Sequence, residues 1–298
     1  MRDSYLDTAM LKRAGRTLGA TLRMTHAFLA SSKATAAPRS LGALKLSTKR
    51  VGERSAIDRF RTSGSTKVAF PRRADAVEAI VLNTAGGLTG GDRFELSAQA
   101  GPGSHLVVTT QAAERAYRSQ SGVARIRTHL SVADGAVLHW LPQELIVFDG
   151  ASIDRQLDVD LDPGATLVLV ESMVFGRRAM GETVTQGRVR DTIAIRRNDA
   201  PIYWDRVDLG GNIAERLARP ALGAGLGALA TVLCCGPHAE ACLPRIRALL
   251  PETGGASLVA DDVLSIRLLA EDSFLLRRAL VPVLEVLTAT HLPKSWSL

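Results

Sequence analysis

Long apolar segments and cysteines are scarce in this sequence of 298 residues. The longest stretch without a formal charge, residues 220–239, is interrupted by four glycines, two prolines and a histidine, so it lacks the ~18 to 20 apolar residues that cross a bilayer. The three cysteines, Cys234, Cys235 and Cys242, are odd in number and lie within nine positions, which is not the disulfide framework of a small secreted protein. We therefore expect no transmembrane helix and a reducing compartment.

Aromatic residues make up only 4% of the chain, although its net charge of +7 and its pI near 9.8 suggest a nucleic-acid-binding protein. The basic charge is concentrated at the start. Residues 1–75 contain 16 Lys/Arg and 5 Asp/Glu, a net +11, which leaves −4 for the remainder. Because aromatic residues do not alternate with these cations, the base-stacking platform of single-strand binders is missing. We expect neither nucleic acid nor membrane as a partner, and keep a basic nucleic-acid-binding module as an alternative.

Residues 1–40 differ in composition from the rest of the chain. They are rich in Ala, Arg, Ser and Thr, with acidic residues only at Asp3 and Asp7, and this superficially resembles a transit peptide. The segment lacks the apolar stretch of a secretory signal, and chain termini are where disorder concentrates. We predict a poorly ordered basic extension over 1–40, or a start at Met24, followed by a single β domain over 41–298.

From residue 41 onward, short alternating segments are separated by turn residues, a pattern typical of β-strands. Three turns stand out, at residues 101–103, 134–135 and 162–164. Each is flanked by segments with strand character, namely 94–100 and 105–110, 126–132 and 137–141, and 153–161 and 166–170. Gly, Pro and Asp favour turns, so these segments predict three hairpin-like strand pairs.

The three turns belong to an internal repeat. A Gly-x-x-Leu pattern occurs at 103–106, 135–138 and 164–167, with offsets of 32 and 29, and a degraded fourth copy lies at 199–202. A repeat of this length that is made of strands indicates stacked β units. We predict a mainly β, superhelical and solenoid-like fold with a small C-terminal element of two helices at about 240–250 and 272–288. An ordinary β-sandwich is the alternative.

Polar residues follow the repeated strands at the same offsets. Gln111, Gln143 with Glu144, and Glu171 come at the strand ends, at spacings of 32 and 29 between Gln111, Gln143 and Ser172. Burying such groups unpaired costs ~1 to 3 kcal/mol each, so stacked copies predict a wet strip or channel. The alternative is that these residues lie in surface loops.

Two glycine-rich segments invite a nucleotide-binding interpretation. The segment at 83–93 lacks the Lys-Ser/Thr ending of a P-loop, and its four glycines in six positions instead suggest backbone at positive φ or in close contact with another chain. The segment at 223–228 fits G-x-G-x-x-A but does not follow a buried parallel strand. A nucleotide-binding enzyme remains an alternative on this second motif alone.

Cys234, Cys235, His238 and Cys242 are soft-metal ligand types, but they include no paired Cys-x-x-Cys. Cys242 begins an apolar helical pattern, so a structural role as a small buried hydrophobe is favoured over metal binding. The sequence has no nucleophile elbow and no zinc-binding H-E-x-x-H helix. We therefore expect no enzymatic activity.

Four ordered motifs resemble one known family. They are LNTAGGLTGGDRFEL at 82–96, TTQAAERAYRS at 109–119, WLPQELIVFDGA at 140–151 and ESMVFGRRAMGE at 171–182. Together with Tyr203-Trp204-Asp205-Arg206 and a terminal Leu-Pro-Lys-Ser-Trp, they strongly resemble the urease accessory proteins UreD, also called UreH, over roughly residues 41–298. The extension before residue 41 has no counterpart in that family.

The resemblance implies a mostly β superhelix and a cytoplasmic scaffold or nickel chaperone without a reaction of its own. It implies binding to apo-urease and to UreF, with the GTPase UreG joining through UreF, and nickel in transit without a tightly bound cofactor. We expect partner-binding or backbone-critical residues within the motifs, namely Asn83, Gly86, Gly87, Gly90, Gly91, Asp92, Tyr117, Arg177, Met180 and Gly181.

Ni(II) binds imidazole and thiolate tightly, whereas carboxylate, amide and water oxygens hold it more loosely. A path for nickel should therefore be poor in histidine. The expected path residues are Gln111, Gln143, Glu144, Asp149, Glu171 and Glu182.

Overall fold

The computed structural model describes residues 39–297, and the predicted extension falls outside them except for Arg39 and Ser40. In chain order the strands are β1 (Leu41–Val51), β2 (Arg54–Gly64), β3 (Thr66–Ala69), β4 (Val77–Asn83), β5 (Arg93–Ala100), β6 (His105–Thr110), β7 (Glu114–Ala116), β8 (Ala124–Val132), β9 (Val137–Leu141), β10 (Leu145–Val147), β11 (Ser152–Leu161), β12 (Thr166–Phe175), β13 (Gly187–Arg197), β14 (Ala200–Gly211), β15 (Ala228–Cys235), β16 (Gly254–Ala260) and β17 (Val263–Ala270).

The strands form two layers. One is a seven-stranded sheet in the order β14-β13-β11-β8-β5-β1-β2, and the other is a ten-stranded sheet with the main order β16-β17-β15-β12-β9-β6-β4-β3. From β4 to β13 the chain passes back and forth between the sheets, and the successive strands within each sheet pair in parallel. The predicted mainly β, solenoid-like stack is confirmed.

The predicted repeat sets the register of this stack. In the ten-stranded sheet His105 pairs with Val137, and Val137 pairs with Thr166. In the seven-stranded sheet Arg93 pairs with Arg125, and Ala124 pairs with Ile153. Both sets of pairs have the sequence offsets of 32 and 29. The repeated leucines Leu106, Leu138 and Leu167 are fully buried between the sheets, where each contributes roughly 1.5 to 3 kcal/mol by leaving water.

Two details of the predicted topology are wrong. The strand pairs around the three turns are not hairpins, because β5, β8 and β11 lie in the seven-stranded sheet whereas β6, β9 and β12 lie in the other. Each turn is thus an arch between layers. The supposed fourth copy at 199–202 is a true hairpin: Asn198 and Asp199 adopt positive φ, and β14 returns antiparallel to β13.

Three α-helices follow the stack in the described part of the chain: α1 (Ile213–Leu217), α2 (Ala239–Leu249) and α3 (Ser273–Thr288). Asp272 caps α3 by accepting a hydrogen bond from the Leu275 backbone N–H at 2.8 Å. Buried side chains of α2 and α3, among them Ile246 and Leu280, form an apolar cluster with the outer face of the ten-stranded sheet. None of the described helices is long and apolar enough to cross a membrane.

Candidate functional site

A cavity of about 340 Å³ lies between the two sheets. It is found where β4, β6 and β9 end, and both layers contribute apolar side chains to it, among them Phe94 and Ile126 from one sheet and Val81 from the other. Its polar lining comes from the segments that follow those strands and from the middle of β11, β12 and β13. The polar lining includes Asn83, Thr110, Gln111, Glu114, Gln143, Arg155, Glu171 and Asp191.

Three of the predicted path residues, Gln111, Gln143 and Glu171, therefore line one space. Gln111 is exposed at the surface, whereas Gln143 and Glu171 are only 6% and 8% exposed. The Oε1 of Gln143 accepts a 2.6 Å hydrogen bond from Arg277, which fixes the orientation of the amide. Its Nε2 is buried and has no hydrogen-bond partner. A buried unpaired donor costs about 1 to 3 kcal/mol, so this amide is suited to a polar occupant.

A group of three buried charged side chains, here called the ion triad, lies in the cavity wall. Arg155 of β11 donates two hydrogen bonds to Asp191 of β13, from Nε at 3.1 Å and from Nη2 at 2.6 Å. Its Nη1 lies 2.8 Å from Oε2 of Glu171, which belongs to the opposite sheet. Two carboxylates and one guanidinium leave a net charge of −1 when all three groups are ionised.

The environment shifts the proton affinity of these groups. Burial raises the pKa of Glu171, and the nearby Arg155 and the indole N–H of Trp140, 2.8 Å from Oε1, act against this shift. Burial alone would lower the pKa of Arg155, but the two carboxylates more than offset it, and the pKa is raised. Arg155 thus stays charged.

Glu114 is a third carboxylate of the cavity and is partly buried. It lies inside a recognised motif but is not among the residues that the sequence predicts for the path. Burial raises its pKa. The Asn83 side-chain amide donates to Oε2 of Glu114 at 3.1 Å and to the Gly87 carbonyl at 3.2 Å. Asn83 therefore links the cavity wall to the glycine-rich loop.

The other three predicted path residues lie outside the cavity lining. Glu144 follows Gln143 but lies near α3, with Oε2 3.7 Å from Arg277. Asp149 accepts hydrogen bonds from the backbone N–H groups of Gln186 and Thr185, and these bonds lower its pKa. Glu182 binds Arg177, whose hydrogen bonds lower the pKa of Glu182. Asp149 and Glu182 hold neighbouring loops.

The glycine-rich loop between β4 and β5 packs against its own chain. Gly86, Gly87 and Gly91 have positive φ. Positive φ is one of the two explanations that the sequence suggests for these glycines, the other being contact with another chain. At Gly87 (φ +147°) an added Cβ would lie 2.3 Å from the Tyr117 ring. At Gly90, where φ is ordinary, an added Cβ would lie 2.3 Å from the Ser121 carbonyl oxygen. At both positions the space for a side chain is filled by atoms of this chain, so contact with a partner is not needed to explain the glycine.

Asp92, at the end of this loop, is a buried residue that holds the loop in place. It is only 3% exposed, and its carboxylate accepts hydrogen bonds from the backbone N–H groups of Ser40 and Thr89, both at 2.8 Å. Asp92 therefore has a structural role that also ties the start of the described chain to the sheet.

The segment after β12 presents side chains to solvent. Arg177 stacks over the Phe148 ring at 4.4 Å and binds Glu182, as described above. Gly181 has φ +71° and ends a 3-10 turn, and Met180 in that turn is 75% exposed. Of the residues expected at a partner interface, Met180 is the most accessible apolar one.

The cysteines do not form a common site. Cys234 packs in the cluster next to the helices and Cys235 in the cluster between the sheets, so adjacent thiols face opposite sides of β15. Burial raises the pKa of each to about 12. His238 is exposed just before α2. Within residues 39–297 no group of three His, Cys, Asp or Glu side chains is arranged to hold a metal ion.

The segment at 223–228 lacks the context of a dinucleotide-binding loop. Such a loop joins a parallel strand to a helix, but here the segment follows α1 and leads into β15, whose two neighbours are antiparallel. The nucleotide-binding interpretation is therefore wrong at this motif.

Comparison with known proteins extends over the whole described chain. The family model described as UreD urease accessory protein matches residues 40–297. Over 257 residues the chain is 51% identical to the urease accessory protein UreD of Ruegeria pomeroyi, which covers 86% of this chain and 100% of that protein. It is 48% identical over 262 residues to UreD of Roseobacter denitrificans, covering 88% and 96%. It is 44% identical over 262 residues to UreD of Agrobacterium fabrum, covering 87% and 92%. These matches confirm the resemblance in the motifs, and the chain belongs to the UreD family of urease accessory proteins.

Proposed function

We propose that this chain takes part in urease maturation as a scaffold that catalyses no reaction of its own. In this role it binds apo-urease and UreF in the cytoplasm, with UreG joining through UreF, and helps to deliver nickel to the urease active site. Membership of the UreD family supports the maturation role. The exposed Met180 and the surface near Tyr117 are suited to partner contacts, because large apolar side chains are enriched at interfaces.

The single observation that carries the nickel role is the composition of the cavity between the sheets. It offers amide and carboxylate oxygens from Gln111, Glu114 and Glu171, and oxygen ligands of this kind bind Ni(II) more loosely than imidazole or thiolate. Gln143 lines the same space, but its amide oxygen is held by Arg277. When all three groups are ionised, the net charge of −1 on the ion triad favours a cation over an anion in this space. Loose ligands and an attractive charge together suit passage rather than storage.

Glu114→Gln tests this role with little change of shape. The variant removes one carboxylate from the cavity wall. Its amide oxygen can accept the hydrogen bond from Asn83, and the bond from the Arg115 backbone N–H to the other oxygen is lost. Glu144→Gln is the matched control, because Glu144 is also a glutamate in a recognised motif but lies outside the cavity. The nickel content of urease and the amount of bound UreF are measured after co-expression of all components.

We expect Glu114→Gln to lower urease nickel content several-fold while complex assembly remains normal, and Glu144→Gln to change neither quantity. Normal nickel content in Glu114→Gln would refute passage beside Glu114. If nickel content and bound UreF fall in parallel, Glu114 serves binding rather than passage. If the wild-type chain itself neither binds the other components nor raises nickel content, the maturation role is refuted.

A further inference from the structure

A short C-terminal turn packs beside the cavity wall. It is a 3-10 turn over Lys294–Trp296, and Trp296 is only 4% exposed. The Trp296 indole N–H donates a 3.0 Å hydrogen bond to the carbonyl of Leu141, the last residue of β9, and the Thr109 hydroxyl donates to the same carbonyl at 2.7 Å. The turn therefore fixes the backbone just before Gln143, which lines the cavity.

Arg277 of α3 joins this turn to Gln143. Its Nη2 donates to the Ser295 carbonyl at 3.0 Å, and its guanidinium lies 5.0 Å from the centre of the Trp296 ring. Its Nη1 donates to Oε1 of Gln143 at 2.6 Å. Glu144 contributes less, because its Oε2 is 3.7 Å from Nη1, which is beyond hydrogen-bond distance. The guanidinium is thus held mainly by the C-terminal turn.

The chemistry of the two groups dictates which end of the amide Arg277 holds. A guanidinium has five N–H donors and no acceptor, so only the oxygen of a glutamine side chain can face it. Arg277 does not line the cavity, so Oε1 of Gln143 is turned toward α3. The other end of the amide, Nε2, is buried and has no hydrogen-bond partner.

This orientation removes one ligand from the cavity. Ni(II) is bound by carbonyl and carboxylate oxygens, but an amide NH₂ group is a hydrogen-bond donor only and offers no lone pair to a metal ion. Gln143 therefore lines the space without serving as a ligand. The affinity of a site made of oxygen ligands depends on how many ligands it offers, so the withheld oxygen keeps the binding weak.

On the basis of the proposed nickel role, we propose that Arg277 is a positioning residue that keeps the amide oxygen of Gln143 away from the cavity, so that nickel is held loosely enough to leave. A half-turn about the terminal torsion of Gln143 exchanges its oxygen and its NH₂ group, and such torsions are broad and roughly two-fold. Nε2 makes no hydrogen bond that would oppose this rotation. Without Arg277, a nickel ion selects the conformer that presents the oxygen.

Arg277→Met tests this role, because methionine keeps an unbranched side chain against Trp296 but donates no hydrogen bond. Arg278→Met is the matched control, since it makes the same change at the next position of α3, where the side chain is exposed. A double variant combines Arg277→Met with Gln143→Leu and is compared with Gln143→Leu alone.

Two quantities are measured for every variant. Isothermal titration calorimetry gives the nickel affinity of the full chain fused to a soluble carrier protein, with the carrier alone as the blank. The nickel content of urease is measured separately, after co-expression with the other maturation components.

We expect Arg277→Met to bind nickel about fivefold more tightly than the wild type, because one oxygen ligand is added, and to lower urease nickel content because the ion is retained. Arg278→Met should behave as the wild type does. Loss of the Arg277 charge also favours a cation, but that effect persists when residue 143 is leucine. The double variant should therefore bind nickel no more tightly than Gln143→Leu. A merely structural role of Arg277 would not tighten binding.

Two results overturn the positioning role. One is nickel binding by a folded Arg277→Met that is no tighter than that of the wild type, and the other is a gain that persists in the double variant. If Arg277→Met does not fold, Gln143→Glu decides, because one oxygen still accepts from Arg277 and the other replaces Nε2. Unchanged nickel affinity in Gln143→Glu then overturns the role. A wild type that does not raise urease nickel content refutes the maturation role instead, whereas the affinity comparison does not involve urease.

Discussion

Replacing Arg155 tests whether it is the charge that compensates the two buried carboxylates of the ion triad. In Arg155→Met the aliphatic part of the side chain is kept, but Glu171 and Asp191 lose the cation that lies within 2.8 Å and 2.6 Å of them. Removing one partner from a buried ion pair costs ~3 to 5 kcal/mol, because the remaining charge is left uncompensated. At roughly 2 to 4 °C per kcal/mol for a chain of this size, the melting temperature should fall by roughly 6 to 20 °C.

The loss should depend on pH in a defined direction. Burial already raises the pKa of Glu171, and removing Arg155 raises this pKa further. A raised folded-state pKa contributes stability below the unfolded value, and that stability is lost as the pH rises through the folded value. Arg155→Met should therefore be closer to the wild type at pH 5 than at pH 8.

Urea denaturation at both pH values measures the effect. The matched control is Arg127→Met, which breaks a partly exposed pair with Asp154 and should cost less than ~1 kcal/mol. Replacing the whole triad, Arg155→Met with Glu171→Leu and Asp191→Leu, should recover most of the stability and yet reduce urease nickel loading. A loss below ~1 kcal/mol in Arg155→Met would refute the assignment of Arg155 as the compensating charge.

Three further outcomes are expected. Gly87→Val and Gly90→Val should each lower the free energy of unfolding by more than ~1 kcal/mol; wild-type urea midpoints in both would contradict the crowding described at these positions. With their pKa values near 12, Cys234 and Cys235 should resist iodoacetamide at pH 8 until the protein unfolds, and prompt labelling in the folded state would argue against their burial. The isolated chain should aggregate and be rescued by co-expression with UreF or apo-urease, whereas equal monomeric yields with and without partners would count against exposed docking surfaces.

The repeat can be recognised in the sequence because each turn is followed by the same Gly-x-x-Leu pattern. Stacked copies must place equivalent residues side by side, so the offsets of 32 and 29 also became the strand register. An arch and a hairpin look alike in sequence, because both are a strand, a turn and a strand. Only the pairing partner, which is distant in sequence, distinguishes them.

The repeat spacing also predicts part of the cavity lining. Gln111, Gln143 and Glu171 were found through the repeat spacing. Adjacency to Gln143 predicts the same location for Glu144, but the Glu144 carboxylate lies on the α3 side. Arg155 was missed because a charged residue in an alternating strand looks like a solvent-facing one, and its buried partners come from β12 and β13.

The parallel stack also determines how the chain must fold. Neighbouring parallel strands of the stack are about thirty residues apart in sequence. The pairing of β1 with β5, in which Leu41 lies beside Arg93, spans more than fifty residues. Non-local pairing of this kind slows folding. Synthesis proceeds at ~5 to 20 residues per second, so a repeat of about thirty residues takes roughly 2 to 6 s. During that time the newest strand of each sheet has an open edge that the next strand has not yet covered. Slower translation or a higher temperature should therefore lower the yield of folded protein by prolonging or promoting edge-to-edge association.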